Sequence, residues 1–236
     1  MISIITVVFN DVNFIEKTIK SVLRQDFKDY EYIIVDGCST DGTVGVIERY
    51  KRDVRGVIIE HDLGIYDAMN KGLRFARGDW VMFMNCRDTF ADNDVLNRVF
   101  SKLHDADFIY SDTLMSDGEL AVCDIDSNRI IHQSLIYKRA IHDEVGFYVS
   151  KAGFTAADYL FFQLAKHKKW VKTDVVISVF EKGSYSSRID HFKQKVAIDI
   201  MFGNVNKYFG CAIIVFHPLY NFIKKHIVRC KKFLSA

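Results

Sequence analysis

The sequence predicts an α/β fold: a mostly parallel sheet flanked by helices, with a helical extension at the C-terminus. Three observations carry this. Short β-branched runs alternate with amphipathic stretches at helical spacing through the first half of the chain. The runs are apolar without a break, as in strands covered on both faces, rather than alternating as in a half-wet antiparallel sheet. The 236 residues include 13 Gly and a single Pro, Pro218, and no Pro/Gly/Ser-rich stretch that would serve as a linker, so one domain with an extension is the economical arrangement.

Ile2 to Phe9 reads as the first strand. Val12 to Gln25 follows as a helix with Phe14, Ile15, Ile19, Val22 and Leu23 on one stripe and Asp11 available as its cap. The pattern repeats as strand Tyr32 to Val35, helix Gly42 to Tyr50, strand Val57 to Glu60, helix Gly64 to Ala76, strand Trp80 to Met84, helix Val95 to Leu103 and strand Phe108 to Tyr110. Beyond Tyr110 the rhythm changes. A hairpin is expected around Ser116-Asp117-Gly118-Glu119, a helix over Ala156 to His167, a strand over Val175 to Phe180 and helical chain from about Phe192. Ligands in such sheets bind at the carboxyl ends of the strands, so the first half is expected to hold one ligand and residues 101–207 to build the second wall.

Charge and cysteines narrow the classes. With 49% apolar residues and 32 basic against 30 acidic side chains, the chain is neither disordered nor a polyelectrolyte, and no nucleic-acid partner is expected. Five scattered Cys with no CxxC point to no disulfide framework or zinc site and fit a reducing cytoplasm. The N-terminus has no basic n-region and no small-residue cleavage site, so no signal peptide is read there. From Ile200 to Ala236 there are six basic residues and no acidic one, which leaves the first 199 residues at a formal −4 against +2 for the whole. The stretch 208–236, where Tyr220, Phe222, Ile223, Ile227, Val228, Phe233 and Leu234 interleave with Lys224, Lys225, Arg229, Lys231 and Lys232, reads as a basic amphipathic tail for an anionic membrane surface. The alternative is a core-packing helix with a solvated basic face.

Each strand of the first half runs into polar residues with no packing reason to be there. Ile33-Ile34-Val35 leads into Asp36-Gly37-Cys38-Ser39-Thr40-Asp41-Gly42-Thr43, and Val81-Met82-Phe83-Met84 into Asn85-Cys86-Arg87-Asp88. Between them lies Glu60-His61-Asp62-Leu63-Gly64-Ile65-Tyr66-Asp67-Ala68-Met69-Asn70-Lys71-Gly72. With the opening Ile4-Ile5-Thr6-Val7-Val8-Phe9-Asn10 and with Ser21-Val22-Leu23-Arg24-Gln25, these blocks resemble the inverting glycosyltransferases of family 2 in their bacterial polysaccharide branch, continuously over about residues 2–100. The resemblance implies a GT-A fold with a Rossmann-like, mostly parallel sheet over residues 1–207. It also implies transfer of a hexose from a UDP-sugar to a glycan acceptor carried on a polyprenyl diphosphate, by a cytoplasmic enzyme lying on the inner face of the cell membrane.

The same resemblance distributes roles. Asp36 matches the residue that reads the uracil ring, with a turn cap as the alternative. Thr6, Phe9, Asn10, Asp62, Asp67, Asn70, Lys71, Asn85 and Arg87 fall along the nucleotide-sugar, although Asn70 and Lys71 also read as ordinary solvated helix residues. The family's metal motif, usually an acidic triplet, is here Asn85-Cys86-Arg87-Asp88. Asp88 is its one acid and the expected ligand of Mg²⁺ or Mn²⁺, and Arg87 puts a positive charge where the pattern often has a negative one. Asp158 in Gly153-Phe154-Thr155-Ala156-Ala157-Asp158-Tyr159 matches the catalytic base, with helix capping as its alternative. His132 and Gln133 are expected on the acceptor or diphosphate side, and Ser186, Ser187, Arg188 and His191 in a polar loop covering the diphosphate. Asp41 reads as a helix cap. Two other classes stay open: a nucleotidyltransferase, which would normally carry a basic Gly-rich loop after the first strand, and a nucleotide-sugar binding protein without catalysis.

Overall fold

The computed structural model describes residues 1–102, 105–182 and 189–216. Its chain forms two compact units, one of Met1–Gly153 with Leu164–Ser184, the other of Phe154–Gln163 with the chain from Tyr185 onward. In the first, β1 (Ile2–Val8), α1 (Ile15–Leu23), β2 (Tyr30–Asp36), α2 (Thr43–Arg49), β3 (Gly56–Ile59), α3 (Ile65–Phe75) and β4 (Trp80–Phe83) alternate as expected. They are followed by β5 (Thr89–Phe90), α4 (Val95–Lys102), β6 (Phe108–Tyr110), β7 (Thr113–Met115), β8 (Leu120–Ala121), a 3₁₀ turn at His132–Ser134, β9 (Leu135–Lys138) and α5 (Ile141–Val145). After α6 (Ala157–Leu164) come β10 (Trp170–Lys172) and β11 (Ser178–Phe180). The second unit holds most of α6, α7 (Ile189–Met201) and a further helix at 207–216.

Seven strands make the main sheet in the order β10-β6-β9-β4-β1-β2-β3. β4, β1, β2 and β3 are mutually parallel, and β9 runs antiparallel between β4 and β6. All seven residues of β1 are buried, which is the state of a central strand covered on both sides. Ile2, Ile4 and Val8 pack with Ile15, Ile19 and Val22 of α1, Val46 and Ile47 of α2, and Val95, Leu96 and Val99 of α4. The residues between them face α3, and they face it closely: a β-carbon on Gly72 would lie 2.5 Å from Ile5 Cγ2 and 3.4 Å from Val35 Cγ2. Each fully buried Ile contributes about 1.5–3 kcal/mol, and the apolar set of the four parallel strands supplies much of the driving force. The amino edge of the sheet is closed by buried Glu31, which accepts from Ser3 Oγ at 2.6 Å, from Arg77 N–H at 2.5 Å and from Arg55 Nε at 2.7 Å.

The sequence-based elements recur with small boundary shifts, and the hairpin at Ser116–Glu119 is the β7–β8 turn, with Met115 N–H donating to Glu119 O. Five elements were not anticipated: β5, the 3₁₀ turn at His132–Ser134, β9, β10 and α5. They are two to five residues long and carry no period of their own; β9 and β10 exist because β6 accepts a partner on each side. β5 belongs to a second sheet, β5-β11-β7-β8, that begins one residue after Asp88. The cap expected of Asp11 is corrected: α1 has no side-chain cap, and the Asp11 carboxylate binds Arg87. Asp41 does act at the start of α2, where Oδ1 accepts the Thr43 N–H at 3.0 Å and the Thr43 hydroxyl at 2.6 Å.

Two glycines give a contrast that checks this packing. A β-carbon on Gly78 would meet the backbone nitrogen of Ser3 at 2.5 Å and the carbonyl of Trp80 at 2.8 Å, whereas one on Gly45 of α2 would meet nothing within 4 Å. In urea unfolding, Gly78→Ala should lose about 1–3 kcal/mol and Gly45→Ala should gain about 0.5–1 kcal/mol.

Candidate active site

Because β1 to β4 are parallel, their carboxyl ends lie on one edge and deliver Phe9, Asp36, the loop before α3 and Asn85–Asp88 together. At β1 and β2, a methyl group on Gly37 would sit 2.5 Å from Asp62 Oδ2 and 3.1 Å from the Phe9 ring, so both side chains lie close over the strand end. Phe9 is 62% exposed and its ring is open to a ligand face. Asn10 ties the two strand ends: its N–H donates to Ser39 Oγ at 2.7 Å and its Oδ1 accepts the Thr40 N–H at 2.8 Å. Asp36 is fully buried, and both oxygens are taken by Ser39, Oδ1 by the amide at 2.7 Å and Oδ2 by the hydroxyl at 2.6 Å.

The loop before α3 holds itself by its own polar groups. Asp62 Oδ1 accepts the Gly64 N–H at 2.9 Å, Asp67 Oδ2 the Leu63 N–H at 3.2 Å, and Lys71 Nζ donates to His61 O at 2.5 Å. Asn70 is not a solvated helix residue. It is buried, donating to Tyr148 O at 2.8 Å and accepting the Tyr148 N–H at 3.0 Å. Thr6 is likewise inside, its hydroxyl spent on Met84 O at 2.7 Å and on Tyr32 OH at 2.9 Å, so it ties β1 to its neighbours.

At the end of β4, Asp88 N–H donates to Asn85 O at 3.1 Å, closing a turn in which Arg87 has φ of 87°. That region favours glycine, and Arg87 stays there because both its ends are held. Its N–H donates to Thr18 Oγ1 at 3.1 Å, and its guanidinium forks onto Asp11 at 2.6 and 3.2 Å over the Phe14 ring. The positive charge in the motif is thereby neutralised by Asp11, a partner seventy-six residues away that no spacing rule announces.

Asp88 is 4% exposed. Burial pushes its carboxyl up to about 7, against the Glu181 N–H that donates to Oδ1 at 3.0 Å and the polar side chain of Gln133, with the Glu181 charge raising it and the Lys17 charge lowering it. Asn85 is buried beside it in the chain, and its Oδ1 has no hydrogen-bond partner. On the 3₁₀ turn, His132 turns into the core, where its Nε2 bonds Tyr148 OH at 3.0 Å.

In the second unit, Asp158 sits half-buried in the first turn of α6, Oδ1 accepting its neighbour's Tyr159 N–H at 2.8 Å. The expectation for His191 is corrected: it lies on α7, where Nδ1 bonds Thr155 O at 2.8 Å, and Gln194 Oε1 accepts the Thr155 N–H at 2.7 Å. Ser186, Ser187 and Arg188 lie outside the described residues.

Residues 3–154 match the family model described as glycosyl transferase family 2. The chain belongs to this family. Among its relatives, a PGL/p-HBAD biosynthesis glycosyltransferase of Mycobacterium tuberculosis is 32% identical over 161 residues, 63% of each chain. TuaG of Bacillus subtilis, assigned to teichuronic acid biosynthesis as a glycosyltransferase, is 38% identical over 91 residues, 37% of this chain and 36% of that one. The family 2 chain thus spans less than two thirds of the length of these curated relatives. Its fold is shared with S. aureus TarS 1-349 in complex with UDP-GlcNAc, at a TM-score of 0.71 and 18% identity over 90% of this chain and 70% of that one. It is also shared with the mannosyltransferase PcManGT from Pyrobaculum calidifontis in complex with GDP-Man and Mn²⁺, at a TM-score of 0.67 and 22% identity over 85% and 64%. The α/β, GT-A expectation is borne out.

Whether this family 2 site suits a divalent cation is answered by its donors. Among the described residues no three His, Cys, Asp or Glu side chains cluster to form a metal cage. The unpartnered Asn85 Oδ1 and the Asp88 carboxylate are hard oxygens, and two such ligands suit Mg²⁺ or Mn²⁺, which keep water and phosphate oxygens in the rest of their shell. Sequence reasoning missed Tyr148 and the ion pair of Asp11, which act through partners brought in by the fold, whereas Ser39 bonds Asp36 three residues away, the turn cap given as that residue's alternative.

The raised Asp88 carboxyl makes a stability prediction. A group whose folded pKa lies near 7 rather than near 4 lends stability that is complete below about pH 4 and lost as pH rises through 7. In metal-free buffer, Asp88→Asn should therefore melt higher than wild type at pH 8, and the difference should shrink toward pH 4 in a thermal-shift series.

Proposed function

We propose that this chain is an inverting glycosyltransferase that moves a hexose from a UDP-sugar to a glycan acceptor, carried on a polyprenyl diphosphate, in cell-surface polysaccharide synthesis. The observation that carries the reading is Asp88, a buried carboxylate at the end of β4, on the same sheet edge as the Phe9–Gly37–Asp62 cradle. Open parallel sheets take their ligands at that edge. The UDP-GlcNAc of TarS and the GDP-Man of PcManGT support a nucleotide-sugar donor, and the relatives of teichuronic acid and PGL biosynthesis support a surface glycan product.

In this reading the base lies against Phe9, with Asp62 as an acceptor for its N–H groups, and Asp36, held by Ser39, shapes the end of β2 behind it. Asp67 and Lys71 hold the loop beside the diphosphate, and Asn85 and Asp88 hold the cation. Bound Mg²⁺ or Mn²⁺ would neutralise charge on the departing diphosphate. Asp158 takes the proton of the acceptor hydroxyl as its oxygen bonds to the anomeric carbon. The carbon–oxygen bond to UDP breaks on the opposite face, and UDP leaves with the electron pair, so the anomeric configuration inverts. A single acid in the metal motif also favours a second reading, a nucleotide-sugar binding protein without catalysis.

UDP release from UDP-sugars, measured with and without glycan acceptor, separates the two. Acceptor-dependent release that stops in EDTA and falls roughly 10²-fold or more in Asp158→Asn, with donor affinity retained, is the expected result. Donor binding without release would favour the second reading, and activity of Asp158→Asn within a few-fold of wild type would remove that residue from the mechanism.

The C-terminal chain supports peripheral attachment to the inner face of the membrane. No helix among the described residues is long and apolar enough to cross one. On the helix at 207–216, Tyr208, Phe209, Val215 and Phe216 are exposed on one stripe, and the residues that follow, 217–236, lie outside the described residues but carry five basic side chains and no acid. Phosphatidylglycerol vesicles should bind the protein at low salt and release it at high salt. Replacing Phe209 and Phe216 by Ser should weaken binding several-fold, and indifference to both changes would sink the attachment.

A further inference from the structure

The turn that carries Asp88 is closed by one hydroxyl from α1. Thr18 is fully buried, and its Oγ1 accepts the Arg87 N–H at 3.1 Å and donates to the Asp88 carbonyl at 2.9 Å. The order of the two bonds is forced, because a peptide N–H only donates and a carbonyl only accepts, so the single hydroxyl proton goes to Asp88 O. The φ and ψ rotations of Arg87 and of Asp88 all lie between these two bonded groups. One hydroxyl therefore spans both residues and fixes the direction in which the Asp88 side chain leaves the backbone.

Both supports of the turn are rigid. Thr18 stands in α1 beside Ile15, Ile19 and Val22, which are packed into the core. A β-branched side chain in a helix has few χ1 choices, so the place of Oγ1 follows from the place of the helix. On the strand side, Met84 N–H donates to Ile5 O at 3.0 Å and Cys86 N–H to Val7 O at 3.2 Å, which carries the pairing with β1 past the last residue of β4 and up to the turn. The turn thus hangs between β1 and α1, and Arg87 is kept at a φ of 87° by Thr18 at its amide and by Asp11 at its guanidinium. We propose that Thr18 is a positioning residue for the Asp88 carboxylate, aiming it through the backbone at the point where the proposed site holds its cation.

The carboxylate itself reports on this aim. Asp88 Oδ1 accepts the Glu181 N–H at 3.0 Å, and Glu181 follows β11, whose place is set by its pairing with β5. That bond forms only if the Asp88 side chain leaves the turn in the observed direction. The Glu181 amide, ninety-three residues away in the chain, therefore registers what Thr18 does to the backbone of Arg87 and Asp88. Without the hydroxyl, a buried carbonyl and a part-buried N–H lose their partner, and the turn must move to satisfy them. Outer residues that orient a ligand carboxylate are commonly worth about tenfold or more in metal affinity.

The inference rests on the proposed cation role of Asp88 in its functional meaning but not in its structural test. Thr18→Val keeps the shape of the side chain and removes the hydroxyl, whereas Thr18→Ser keeps the hydroxyl and removes the methyl group. In metal-free protein, amide hydrogen exchange at Arg87 and at Glu181 should quicken roughly tenfold or more in Thr18→Val, while Met84, paired with β1, keeps its wild-type rate and shows that the sheet is intact. Thr18→Ala gives the same readouts if the valine variant does not fold. In Mn²⁺ titrations without nucleotide, the dissociation constant should rise about tenfold in Thr18→Val and stay within a few-fold of wild type in Thr18→Ser. An unchanged Glu181 amide or unchanged Mn²⁺ affinity in the folded hydroxyl-free variant would overturn the proposal, and so would a loss in Thr18→Ser as large as in Thr18→Val. If wild type binds no Mn²⁺ but both amides are released in Thr18→Val, the cation reading falls and the positioning stands.

Discussion

Burial of β1 along its whole length is the constraint on which the rest depends. A parallel strand with helices on both faces has no solvated side, so a polar side chain in its span must find a partner inside the protein. Ser3 does so with Glu31, and Thr6 with Met84 and Tyr32. All other polar chemistry is expelled to the strand ends. Parallel pairing then gathers the carboxyl ends of four strands on one edge, and the candidate site of this family 2 chain is a consequence of how its core is covered.

At that edge the protein accepts local cost. Asp88 is held where its charged form is disfavoured, Asn85 Oδ1 is buried without a partner, and Arg87 occupies a backbone region suited to glycine. Three such features in one four-residue turn are a departure from the satisfied state of the core around it, and they lie where an oxygen-seeking cation would relieve two of them. The eroded acidic triplet is therefore less of a loss than it reads in one dimension. The Arg87 charge is cancelled by Asp11, and the remaining acid is held by the Glu181 amide at the end of β11.

Legibility followed the range of the interaction. The strands and helices of the first hundred residues were readable because each carries its own period and its own punctuation. β9 and β10 were not, since three or four residues become strands only when β6 and β4 offer unpaired edges. The same divide runs through the site. Asp36, Asp88 and Asp158 stand out as acids at the ends or starts of elements, and the ordered motifs around the first two mark them further. Asn70 and His132 were visible as residues, but their use as internal clamps was not, because it requires Tyr148, distant in sequence from both.

By itself, the sequence determined the alternation of strand and helix, the apolar composition that forces a two-sided parallel sheet, the polar strand ends and the separation of an acidic body from a basic C-terminal stretch. These are local or compositional properties, and elementary periodicity and charge express them directly. Only the tertiary structure decided which acids are desolvated and which are paired, that Arg87 turns to Asp11, that His132 turns inward to Tyr148, and that a two-residue strand carries Asp88 to the Glu181 amide. Each depends on bringing together groups 16 to 93 residues apart, and desolvation and hydrogen-bond geometry exist only once those groups have met.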